Sequence, residues 1–160
     1  MPGRKPLRLA GYDYSAHGAY LVTTCVAGRR HALGAVVDST VHLSPLGELV
    51  AACLEEIEAH HPLVGLDEHV VMPDHVHAIV LLPPRCRGET CLAPTPLGVV
   101  VGGFKSAVVR RSGEVGLWQR GYHDRIIRNE HELDTLREYV AANPRRWSSS
   151  PLGRDVSPEA

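Results

Sequence analysis

One stretch limits the fold more than any other: His75-Val76-His77-Ala78-Ile79-Val80-Leu81-Leu82 is β-rich and apolar at both odd and even positions. Successive strand side chains point to opposite faces, so such a run suits a sheet covered on both sides. Pro73-Asp74 precedes it as a tight turn or bend, and His69-Val70-Val71-Met72 before that reads as another strand. A third strand, expected to be central, is Ala19 to Val26, β-branched and aromatic between Gly18 and Gly28.

Helical signals separate these strands. Ser44-Pro45 supplies an N-cap and a proline at the first helical position, after which Leu46, Leu49, Val50, Cys53, Leu54 and Ile57 share one face. That helix is expected to end near His60-His61-Pro62, because proline disfavours helix in its predecessor. Pro83 to Pro94 reads as a polar loop, and Thr95-Pro96 opens a second helix carrying Leu97, Val100, Val101, Phe104 and Val108, with Gly102-Gly103 weakening it. Leu117 to Gln119 and Tyr122 to Arg128 read as short extended pieces. Asn129, with Glu132 three residues on, resembles a capping box for a last helix that turns Leu133, Leu136 and Val140 inward and closes at Pro144.

Strand, helix, strand, strand, helix, strand is the split βαβ order. The expected fold is therefore α+β: a ferredoxin-like antiparallel sheet with helices on one face, plus a C-terminal helix that carries Tyr139. The other face would be open, as nucleic-acid proteins often use it. The chain has 160 residues, enough for one domain, expected over 1–147, with 148–160 as a flexible tail.

Bulk properties exclude more than they assign. No apolar run is long enough to span a membrane and no secretory leader follows the basic N-terminus, which points to an unexported, cytoplasmic protein. The four cysteines read as free thiols in a reducing compartment, in preference to a zinc clip at Cys86 and Cys91. A net charge of −1 argues against simple coating of nucleic acid. Yet residues 36–74 hold eight acidic side chains and no Lys or Arg, while residues 105–146 hold nine basic and six acidic, so one side could face phosphate.

Chemistry concentrates in two places. Residues two apart on a strand share a face about 6.5 Å apart at Cα. His75 and His77 could thus converge on one cation, although two polar residues on a wet strand face would look the same. Tyr139 and Asn143, four apart, flank the apolar stripe of the last helix and are expected to be partly exposed beside the core. Tyr122, in Gly121-Tyr122-His123-Asp124, is the rival nucleophile, more readily read as a packed strand aromatic. His60, His61 and His69 form a weaker alternative metal cluster. Candidate phosphate contacts are Arg110, Arg111, Arg120, Arg125, Arg128, Arg145 and Arg146, the last pair next to Trp147 as a possible stacking ring.

Several blocks, in this order, resemble the REP-associated tyrosine transposases, relatives of the small insertion-sequence transposases of the HUH class. They are Arg8-Leu9 with Tyr12-Asp13-Tyr14, Tyr20 to Thr23, Val71-Met72-Pro73-Asp74-His75-Val76-His77, Phe104-Lys105-Ser106, Trp118 to His123, and Tyr139-Val140-Ala141-Ala142-Asn143-Pro144. The similarity spans roughly residues 8 to 146. The resemblance implies Mg²⁺ or Mn²⁺ held by His75 and His77 with Asn143 as a further ligand, Tyr139 as nucleophile, and a 5′-phosphotyrosine intermediate. It also implies single-stranded or hairpin DNA as partner, a homodimer, and a DNA role for Lys105 and Arg120. Asp74 stands where Asn is frequent in the family, and Val140 where Ile is frequent. A domesticated module that holds hairpin DNA without cutting it is the alternative, and a metal hydrolase using water is a third.

Overall fold

The computed structural model describes residues 11–14, 16–84 and 95–149. Arg8-Leu9, Cys86 and Cys91, most of the 83–94 loop, and residues 150–160 of the expected tail lie outside them.

Four strands form the main sheet: β1 (Gly18–Cys25), β4 (Gly65–Val71), β5 (His75–Leu82) and β6 (His123–Ile127), in the order β4-β5-β1-β6. All three pairings are antiparallel. With the crossovers through α1 (Pro45–Glu55) and α3 (Leu97–Ser112), this is the ferredoxin-like arrangement, and β1 is central as expected.

The two parities of β5 bury against different partners, which is why the run is apolar throughout. Val76, Ala78, Val80 and Leu82 face a core completed by Val50, Leu54, Val100, Phe104 and Val108 of α1 and α3. Ile79, with Leu21 and Ile127, faces a smaller cluster under Leu133, Leu136, Tyr139 and Val140 of α4 (Glu130–Ala141). The second face of the sheet is thus not left open: the last helix lies across part of it. An amphipathic helix with three apolar residues on one stripe lowers its free energy by covering that face, at about 25 cal/mol for each Å² removed from water.

Local signals explain most helix boundaries. Ser44 Oγ accepts from Gly47 N at 3.1 Å and donates to Ala32 O at 2.8 Å, so the cap also ties the helix to the preceding segment. Gly47 is required there, since a Cβ would collide with the carbonyl oxygen of Leu33. The helix stops at Glu55 instead of running to His60: a turn at Glu56 separates it from α2 (Ile57–His60). The second helix begins at Leu97, not Pro96, because Leu97 N donates to Tyr14 O at 3.0 Å and needs no side-chain cap. It continues through Gly102-Gly103, whose propensity cost is outweighed by burial of its apolar face.

Asn129 Oδ1 accepts from Glu132 N at 2.8 Å, but the reciprocal bond of a capping box is displaced by one residue: Glu132 accepts from Arg128 N at 2.9 Å. Nor does Pro144 end the helical path, because it sits in the first turn of α5 (Asn143–Ser149), where a missing N–H costs nothing. Unforeseen is a hairpin, β2 (Gly34–Val37) and β3 (Thr40–Leu43), closed by Asp38-Ser39 with both φ positive (49° and 61°) and packed on α5.

Across the sheet, Arg137 of α4 grips Asp67 of β4, Nε donating to Oδ1 at 3.0 Å and Nη2 to Oδ2 at 2.6 Å. This bond holds the Asp67 carboxyl below its ordinary range. A carboxylate with a lowered folded pKa contributes stability above its unfolded pKa and loses it as pH falls through the folded value. Asp67→Asn is therefore expected to melt lower than wild type at neutral pH. The difference should shrink below about pH 4, where the wild-type carboxylate also protonates. Thermal melts across that range check it, and a pH-independent difference would mean the pair is not responsible.

Candidate active site

Rows of side chains across the sheet build the site. Antiparallel register sets Thr23 of β1 between His77 of β5 and His123 of β6, and sets Cys25 opposite His75. Directly opposed residues share a face, so His75, His77, Thr23 and His123 all stand on the α4 side. Both metal-candidate imidazoles are buried, at 0% and 2% exposure, which removes the reading of them as a wet strand face.

Each imidazole has Nδ1 engaged. His77 Nδ1 shares a 2.7 Å hydrogen bond with Thr23 Oγ1, and His75 Nδ1 lies 2.6 Å from Asp74 Oδ1. The rings meet edge to face with centroids 4.6 Å apart. Nε2 is then the nitrogen each ring would present to a cation.

Tyr139, Asn143 and Trp147 recur every fourth residue, and Ala142 between α4 and α5 keeps right-handed geometry (φ −83°, ψ −4°), so one face passes from helix to helix. The ring centroid of Tyr139 lies 5.5 Å from that of His77, and that of Trp147 lies 6.0 Å from that of His75. Asn143, buried, is thereby bracketed against the histidine pair. The expectation that Tyr139 and Asn143 would be partly exposed is corrected, because the sheet they flank takes them in at 5% and 1% exposure. Trp147 also changes role: buried between His31 and His75, it wedges the site and offers no open stacking face.

Tyr139 still reaches solvent-accessible space. A cleft of about 430 Å³ is lined by Thr23, His77, His123, Arg125, Arg128, Glu132 and Tyr139 among others. A second, of about 460 Å³, shares Arg125, Glu132 and Tyr139 and adds His131, Thr135 and Arg146. The tyrosine thus separates two hollows, and the Arg146 guanidinium carbon lies 5.1 Å from its ring centroid. Tyr122, by contrast, is buried in the core beneath α1 and α3, on the far side of the sheet from His77.

The basic residues divide. Arg125, Arg128 and Arg146 border the clefts, with Arg125 also paired to Glu132 at 2.9 Å. Arg120 and Arg145 are exposed. Lys105 donates to the carbonyls of Gln119 and Gly121 at 2.8 and 2.7 Å, pinning that loop, and burial lowers its pKa. Arg111 pairs with Glu56 at 2.8 Å, and Arg110 lines a groove with His60 and His61, both on the helix-covered side away from Tyr139. Sequence reasoning missed Thr23 and Arg29; a polar residue in an otherwise apolar central strand was the signal for the first.

Among the described residues no group of three or more His, Cys, Asp or Glu side chains is placed to hold a metal ion, so His60, His61 and His69 form no second centre. The donor set of the main site fits a divalent cation as two imidazoles plus one amide oxygen, which would leave positions for water and phosphate.

A Haemophilus influenzae protein known only as uncharacterized is 31% identical over 167 residues, covering 93% of this chain and 92% of that one. The two proteins belong to one family. Among solved structures, that of a REP-associated tyrosine transposase bound to a REP hairpin matches with a TM-score of 0.67 at 19% identity, over 87% of this chain and 73% of that one. A Deinococcus radiodurans protein proposed to be a transposase matches with a TM-score of 0.51, also at 19% identity, over 84% and 95%. No family model matches the chain. This family therefore has the fold of a REP-associated tyrosine transposase, as the sequence motifs led us to expect. No helix among the described residues is long and apolar enough to cross a membrane.

Proposed function

We propose that this chain is a transposase that breaks and rejoins single-stranded DNA beside a hairpin, with Tyr139 as nucleophile and Mg²⁺ or Mn²⁺ held by His75, His77 and Asn143. The observation that carries the reading is the 5.5 Å approach of Tyr139 to His77 within one chain, at the wall of an open, Arg-bordered cleft. The likeness in fold to a hairpin-bound transposase supports the substrate class.

The chemistry follows from these side chains. The Tyr139 hydroxyl oxygen attacks a backbone phosphorus, forming a phosphotyrosine bond as the bond to the 3′-oxygen breaks. The phenolic proton leaves, and the departing oxygen becomes a 3′-hydroxyl. Because one phosphodiester replaces another, a second 3′-hydroxyl can reverse the exchange without a nucleotide cofactor. A bound divalent cation would supply charge to the phosphate oxygens. Arg128 and Arg146 sit where they can hold the flanking phosphates, and the buried histidine wall excludes water from one side of the phosphorus. All the proposed groups come from a single chain, so a homodimer would not be needed to complete the site.

The test is incubation with single-stranded DNA carrying hairpins of varied sequence, labelled at the 3′ end, with Mn²⁺. The expected product is a labelled protein adduct that survives denaturant, alongside a fragment ending in a 3′-hydroxyl, both abolished by chelation. Binding with no adduct across substrates and metals would overturn the reading in favour of a non-cleaving module.

A further inference from the structure

We infer that Arg29 is a positioning residue for His75, acting through Asp74 to set which ring nitrogen faces the cation site. The inference rests on the metal reading proposed above and deepens it.

Asp74 is buried at 1% exposure yet serves two donors with separate oxygens: Oδ1 faces His75 Nδ1 at 2.6 Å, and Oδ2 meets Arg29 Nε at 2.9 Å. A carboxylate only accepts hydrogen bonds. With Arg29 beside it, Asp74 therefore takes the Nδ1 proton of His75, and the lone pair lies on Nε2, the nitrogen a metal would use.

The backbone is shaped to hold this arrangement. Gly28 and Arg29 both take positive φ (66° and 55°) in the 3₁₀ turn Ala27–Arg29, an unusual conformation for an arginine. The turn folds the chain so that Arg29 Nη1 also donates to Cys25 Sγ at 2.9 Å, opposite His75 in the sheet register. Val26 N donates to Asp74 O at 2.8 Å and Leu33 N to Pro73 O at 3.0 Å, so residues 26–33 wrap the bend that carries Asp74.

This makes Asp74→Asn, a near-isosteric change, informative. A carboxamide has one accepting end and one donating end. With Arg29 claiming the oxygen, the NH₂ turns to His75 and requires Nδ1 to accept, which moves the ring proton to Nε2 and blocks the ligand atom. Arg29→Met removes the competing donor, so in the double variant the carboxamide oxygen can turn back to His75.

The experiment measures Mn²⁺ affinity by electron paramagnetic resonance and the His75 tautomer by long-range ¹H–¹⁵N NMR without metal, with thermal melts as a folding control. Asp74→Asn is expected to weaken Mn²⁺ binding by about 10- to 100-fold, as loss of an outer partner typically does, and to shift the proton to Nε2. The double variant D74N/R29M should bind more tightly than D74N alone and regain the Nδ1–H form. A double variant no better than D74N in either readout overturns the inference. If wild type takes up no Mn²⁺ but the tautomers switch as stated, the metal reading fails while the positioning of His75 by Arg29 stands.

Discussion

Replacing Tyr139 with Phe is expected to abolish the denaturant-resistant DNA adduct while leaving hairpin binding and folding intact. The substitution keeps the ring against His77, Ile79 and Arg146 and removes only the hydroxyl, so packing in the cluster of Leu21, Ile127, Leu133, Leu136 and Val140 is retained. Loss of one hydroxyl hydrogen bond costs about 1 kcal/mol of stability, too little to unfold a domain. The same change at Tyr122, in the core under α1 and α3, should leave adduct formation in place. Electrophoresis of labelled complexes under denaturing conditions reads both variants at once. An adduct that persists in Tyr139→Phe, or disappears only in Tyr122→Phe, would assign the nucleophile elsewhere.

The second large effect is expected at His77. Truncation to Ala should lower Mn²⁺ affinity and DNA cleavage by more than the roughly 10- to 100-fold usual for an outer partner, because a ligand itself is lost. Thr23→Val should fall inside that smaller range: it removes the 2.7 Å contact to Nδ1 that orients the ring and leaves the imidazole in place. Hairpin binding should survive both, since the Arg128 and Arg146 contacts are untouched. Titration calorimetry with Mn²⁺, paired with cleavage rates, separates the two. Equal affinity in wild type and His77→Ala would remove this histidine from the metal site.

Much of the fold was legible because it depends on short-range rules. Alternation in β5 told of two covered faces, and period two put His75 and His77 on one side. Ser44 and Asn129 announced their helices because a side-chain acceptor three residues from an unpaired N–H is a local matter. The β2–β3 hairpin escaped notice, although Val36-Val37-Asp38-Ser39-Thr40-Val41 holds two β-branched pairs around a two-residue turn; Asp-Ser is a weak turn signal without glycine. Asn143-Pro144 was read as a stop because proline ends the bonding of the turn before it, whereas the same residue also starts a helix.

Side assignments were a different kind of problem. Nothing in the order of residues distinguishes Tyr122 from Tyr139 as a nucleophile, since both are aromatics near polar neighbours. The register of β6 and the packing of α4 put one in each core. Charges behaved likewise: Arg110 and Arg111 look like Arg145 and Arg146, yet only the second pair lies on the tyrosine side of the sheet.

The chain by itself determined the ferredoxin-like order, the shared face of His75 and His77, and the motif resemblance, since periodicity and capping act within a few residues. Only the tertiary structure decided that the apolar run in β5 is covered on its second side by α4, that Tyr139 closes on His77 of its own chain, and that Arg29 answers Asp74. Those contacts join residues 45 to 62 positions apart, and their geometry is set by packing of the whole sheet, which no local pattern encodes.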